Sequence, residues 1–70
     1  MSVTGRVVRL GKNAGFIMPD GYNVEVIFYR WHFPGFDQLH TGDKLCFEII
    51  EDDTHVGVFA AHQITRAVKP

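Results

Sequence analysis

The sequence predicts an all-β fold, a small five-stranded antiparallel barrel, and three observations carry that expectation. Turn signals recur at short intervals, as GKNAG at 11–15, PDGYN at 19–23, FPGFDQ at 33–38, HTGDK at 40–44 and EDDTH at 51–55. No stretch holds the 3.6-residue apolar period of an amphipathic helix. The segments left between the turns are short and rich in β-branched and aromatic residues, which suit a pleated, half-buried surface. Closing five such strands into a barrel pairs the backbone groups that an open sheet would offer to other chains.

The first strand is expected over 3–10, where valines recur, and the second over 15–18, stopped by Pro19, which has no N–H for a sheet ladder. The third runs over 24–29. One helical turn fits near Arg30 to Phe33 before Pro34 and Gly35 break it. A fourth strand alternates Leu45, Phe47 and Ile49 with Cys46, Glu48 and Ile50, and a fifth over 56–64 is long enough to invite a bend or bulge. Val7, Ile17, Val26, Phe28, Leu45, Phe47 and Ile49 are the expected inward set. All 70 residues are assigned to one domain, with its core within 3–66, because compact domains rarely subdivide below about 100 residues. A two-domain enzyme is thereby excluded.

Composition narrows the function classes further. With one cysteine, Cys46, the chain makes no internal disulfide, and a reducing cytoplasm is the expected setting. No apolar run approaches the roughly 20 residues of a membrane span, and the first residues lack the apolar core of a secretory signal. Neither membrane nor leader is expected. The net charge of −1 argues against bulk duplex DNA as partner. Its distribution is uneven: residues 1–36 carry four bases against two acids, and residues 37–70 carry three against six. The N-terminal half is the expected anion-facing side.

Catalytic and metal chemistry find little support. His32, His40, His55 and His62 lack the close spacing to a second His or Cys that marks zinc sites and read as scattered surface histidines. Cys46 has no base beside it in sequence and alternates out of phase with the core residues. Glu51, Asp52 and Asp53 form an acidic turn rather than a pocketed pair. The expectation is a protein that is not an enzyme, with no metal and no small-molecule cofactor.

Motifs along the chain point to a family. Gly5-Arg6-Val7-Val8-Arg9-Leu10-Gly11 stands against G-x-V-K-W-F-N, and Lys12-Asn13-Ala14-Gly15-Phe16-Ile17 against K-G-F-G-F-I. Glu25-Val26-Ile27-Phe28-Tyr29-Arg30 can be laid on D-V-F-V-H-F. A register shifted to Asn23–Phe28 competes, and the first is preferred because it buries Val26 and Phe28. Gly35-Phe36-Asp37-Gln38-Leu39 matches G-F-x-x-L, the run from Leu39 to Ile49 matches L-x-x-G-x-x-V-x-F-E-I, and Ala61-His62-Gln63-Ile64-Thr65 takes the place of A-x-N-V-T. Over 5–65 the chain resembles the cold-shock domain, a five-stranded oligonucleotide/oligosaccharide-binding (OB-fold) barrel. It departs from that family at Arg9, Leu10 and Ala14, where the family carries aromatics.

The resemblance implies binding of single-stranded RNA or DNA, by stacking bases on aromatic faces with cations accompanying the phosphates. Carried onto this chain, it implies a face made of Arg9, Lys12, Phe16, Ile27, Tyr29 and Phe36, with Trp31 as an additional exposed aromatic. With aromatics lost, the binding implied is weak, that of a passive RNA chaperone or regulator. Other uses of these residues stay open: a core place for Phe16, closure of the barrel mouth by Phe36, packing under the loop for Trp31, and simple solvation for Arg9 and Lys12. The alternative function is a barrel that has lost nucleic acid and binds protein, as a homodimer or with another chain, through Tyr29, Trp31 and Phe33.

Overall fold

Alternation of apolar and polar side chains along each strand gives this chain one inward and one outward surface. The computed structural model describes residues 2–51 and 58–67. Five strands, β1 (Val3–Leu10), β2 (Ala14–Pro19), β3 (Val26–Tyr29), β4 (Lys44–Glu51) and β5 (Phe59–Arg66), close into a barrel in the order β1-β2-β3-β5-β4. The architecture is the all-β, OB-fold-like barrel that the sequence predicts. Its third and fifth strands begin later than expected, at Val26 and Phe59. The predicted acidic turn beyond Glu51, His55 and the first two residues of the predicted fifth strand lie outside the described residues.

Four of the five neighbouring pairs are antiparallel, and β3 runs parallel to β5 with Ile27 opposite Ala60. One parallel seam is obligatory. Directions that alternate from neighbour to neighbour cannot close a ring of five, so an all-antiparallel barrel of this size does not exist. The seam falls between the meander β1-β2-β3 and the hairpin β4-β5, joining strands that are far apart in sequence.

The preferred register of β3 is the one found: Val26 and Phe28 are buried while Ile27 and Tyr29 face outward, half-buried. Val7, Ile17, Leu45 and Phe47 complete the expected core, joined by Ala61 and Ile64 of β5. Ile49 differs from expectation. It packs against the core but stays partly exposed near the end of β4.

Two bulges shape the wall. On β1, Val7 opposes Ile17 and Arg9 opposes Phe16, so Val8 is an extra residue. On β5, His62 opposes Glu48 and Thr65 opposes Cys46, again one residue too many, and Gln63 there takes φ 52. The long fifth strand therefore carries the irregularity its length invites. Residues between β3 and β4 make two 3-10 turns, Arg30–His32 and Phe36–Gln38, the first where one helical turn was expected. Phe33, Phe36 and Leu39 from this connection are buried and plug the end of the barrel where β3 finishes and β4 starts.

Candidate nucleic-acid interface

The outward face of β1, β2 and β3 collects four of the expected site residues. Straight alternation from the inward Val7 would turn Arg9 into the core, where an unpaired guanidinium is prohibitively costly. The bulge at Val8 resets the phase, and Val8 and Arg9 are both exposed. Arg9 thus lies opposite Phe16 on β2, and Phe16 lies opposite Ile27 on β3. The next rung pairs Ala14 with Tyr29.

Phe16 is not a bare platform. The Arg9 guanidinium carbon sits 4.3 Å from the centre of its ring. Arg9 Nη2 also donates to Glu25 Oε1 at 2.7 Å, with the two side chains 63% and 34% exposed. An exposed ion pair contributes about 0–1 kcal/mol and an exposed cation–π contact about 0.5–1 kcal/mol. Displacing Arg9 would therefore offset most of the about 1–3 kcal/mol that a base gains on an aromatic ring.

Tyr29 and Trp31 are brought together by the end of β3. In an extended strand, residues two apart are separated by about 6.6 Å along the axis, but here the chain enters a 3-10 turn at Arg30 and contracts. The two rings stack with centroids 4.9 Å apart and planes 3° from parallel. Trp31 is 71% exposed, which leaves the other face of the indole to solvent. His32 stands edge-on to both, at 5.7 Å from Tyr29 and 6.1 Å from Trp31. This corrects its reading as a surface histidine: the residue is half-buried, and its Nδ1 is enclosed without a hydrogen-bond partner.

Lys12 occupies the β1–β2 turn beside this stack, exposed, and its ammonium has no ion-pair partner among the described residues. Its backbone is anchored. The Lys12 carbonyl accepts from Arg30 Nε at 3.2 Å and Nη2 at 2.5 Å, and the Arg30 N–H donates to the Asn13 carbonyl at 2.9 Å. Arg30 Nη1 donates to Asp37 Oδ1 at 2.6 Å, and the guanidinium lies 4.8 Å from the centre of the Phe36 ring. Arg30 is a bracket between turns rather than a ligand-facing cation.

Phe36 leaves the face altogether. Expected as an exposed platform, it is 5% exposed, with its ring 5.6 Å from that of Phe28. Enclosing an apolar ring against the core outweighs its loop position, and the mouth-closing alternative is the one realised. Phe33 is likewise buried and unavailable for a protein contact. The structure therefore brings together Arg9, Phe16, Ile27 and Tyr29, adds Trp31 and Lys12 at one edge, and removes Phe36. Sequence reasoning missed Glu25 and Arg30. Glu25 lies two residues before Ile27, in the same outward phase, and its opposite charge to Arg9 was the available signal.

A concavity of about 240 Å³ opens at the barrel end away from the plug. It is lined by Pro19, Tyr22, Val24, Val26, Ile49 and Phe59, none of them a cation. Phosphates have nothing to meet there. Among the described residues, no group of three His, Cys, Asp or Glu side chains stands close enough to hold a metal ion, and no helix is long and apolar enough to cross a membrane. No protein-family model matches the chain, and no curated protein is significantly similar to it.

Proposed function

We propose that this protein is a cold-shock-like binder of single-stranded RNA or DNA, acting in the cytoplasm as a passive RNA chaperone or regulator without turnover. The observation that carries the reading is the parallel Tyr29–Trp31 stack, open on its outer face, with the β1–β2 turn that carries Lys12 running beside the end of β3; the Lys12 ammonium has no ion-pair partner among the described residues. An exposed indole next to a cation is the pairing that unstacked bases and their phosphates require, and every base has a face to stack. With few platforms and few cations, binding is weak, of micromolar order or poorer, and its salt dependence is shallow.

The test is a titration with oligo(dT) and oligo(U), following Trp31 fluorescence and backbone amide resonances at low and moderate salt. Perturbation confined to β1–β3 and the Lys12 turn supports the proposal. Trp31→Ala should then weaken binding by about 1–3 kcal/mol, and Lys12→Ala should mainly flatten the salt slope. If single strands at high micromolar concentration disturb neither signal, nucleic-acid binding is refuted. The protein-contact alternative then rests on Tyr29 and Trp31, and self-association by sedimentation becomes the measurement.

A further inference from the structure

We infer that the central base-stacking platform of this face is the Arg9 guanidinium itself, with Phe16 as its support and Glu25 as the residue that keeps it off the phosphates. The inference rests on the single-strand reading and names how that site divides bases from backbone. Three placements lead to it. The β1 bulge turns Arg9 outward opposite Phe16. The guanidinium then covers the ring at 4.3 Å, so an approaching base meets Arg9 before it meets Phe16. Glu25 Oε1 holds Nη2 at 2.7 Å from the side, while 63% of the Arg9 side chain stays exposed.

A guanidinium is planar and delocalised, stacks on aromatic rings and serves as a stacking plane for bases. Supported from below by Phe16, it extends the aromatic surface outward by one layer instead of obstructing it. Glu25 has a second effect. By neutralising Arg9 and occupying one of its donors, it removes the attraction that would draw the guanidinium to a phosphate, and its own charge repels the backbone there. Phosphate contact is left to Lys12, which has no such partner among the described residues.

Arg9→Lys separates plane from charge, and Glu25→Gln removes the restraint while keeping the shape. The parent chain and both variants are titrated with oligo(dT) and with an abasic strand of the same length, after circular dichroism has verified folding. Arg9→Lys should lose about tenfold in affinity for oligo(dT) and nothing for the abasic strand, because the charge is retained and the plane is lost. Glu25→Gln should steepen the plot of log K against log salt by roughly 0.7, the signature of one added phosphate contact on a single strand. Arg9→Lys binding oligo(dT) like the parent, or losing equally on both strands, overturns the platform role while leaving the single-strand reading intact. An unchanged salt slope in Glu25→Gln overturns the restraint. A parent protein that binds neither strand overturns this inference together with the reading beneath it.

Discussion

Phe36→Ala is the substitution whose outcome the sequence and the structure forecast differently. As an exposed platform, Phe36 would cost binding and leave folding intact. In the structure its ring is 5% exposed, lies 5.6 Å from the fully buried Phe28 and carries the Arg30 guanidinium 4.8 Å from its centre. Truncating a core phenylalanine costs about 3–5 kcal/mol, of which about 0.5–1.5 kcal/mol reflects the aromatic pair. A domain of 70 residues, at about 0.05–0.15 kcal/mol per residue, holds roughly 3.5–10 kcal/mol in total. The variant is therefore expected to be marginal or unfolded. Urea unfolding should be followed by far-UV circular dichroism, because Trp31 at 71% exposure senses burial poorly. With a slope of about 1 kcal/mol per molar urea, the midpoint should fall by about 3 M or more, or the folded baseline should vanish. Phe36→Leu should recover part of the loss by refilling the space. A midpoint shift below about 1 M at unchanged slope would show that the ring contributes little to the core and would refute the reasoning.

Further predictions concern charge, packing and backbone. Lys44 and Thr4, donating to the Asp20 carboxylate, hold its pKa below the ordinary 3.8, and the His40 backbone N–H and then Arg66 do the same for Asp43. Depressed folded-state values mean that these contributions are complete above about pH 3.8 and fade as pH falls through the lower folded values. Urea midpoints should drop on acidification below pH 4, and less so in an Asp20→Asn/Asp43→Asn double variant. A methyl added at Gly15 would stand 2.6 Å from Phe28 Cε1, a ring with no room to retreat, so Gly15→Ala should cost about 1–3 kcal/mol in the same assay. Gln63, at φ 52 in the β5 bulge, should accept glycine at no cost or gain up to about 1 kcal/mol, seen as an equal or higher midpoint.

The wall of this barrel was legible because alternation is a local property. Val26, Phe28, Leu45 and Phe47 announce their inward faces from residues two apart, and Pro19 announces a strand end by lacking an N–H. The parallel seam was implicit in the number five, but it becomes visible only when strand directions are followed around the ring. The site was legible in part. Tyr29 and Trp31 could be singled out as aromatics at a strand-to-turn boundary, while their stack depends on the contraction of the 3-10 turn. Arg9 over Phe16 was not readable from alternation, because a bulge inserts one residue and inverts the phase of everything beyond it. Phe36 misled because a glycine and an aspartate beside it describe its neighbours' exposure and not its own. Long-range enclosure leaves no mark at that range.

The seam also has a kinetic meaning. The meander from β1 to β3 and the β4–β5 hairpin each close short stretches of chain, whereas joining the two, along β1–β4 from Val3 to Phe47 and at the seam from Ile27 to Ala60, closes long ones whose entropy cost must be met before their contacts form. The ring is expected to shut late in folding, after the hairpins. Contacts across the seam would then be absent from the transition state, so weakening them should hasten unfolding and leave the folding rate nearly unchanged. Because Ala60 also faces Ile50 on β4, an Ala60→Gly variant is compared by stopped-flow in urea with the parent and with Ile50→Gly, and the change beyond that of the β4 variant is expected on the unfolding limb. The residues that decide how long the barrel stays shut are then those along the two joints, β1–β4 and the parallel seam, that tie the meander to the hairpin.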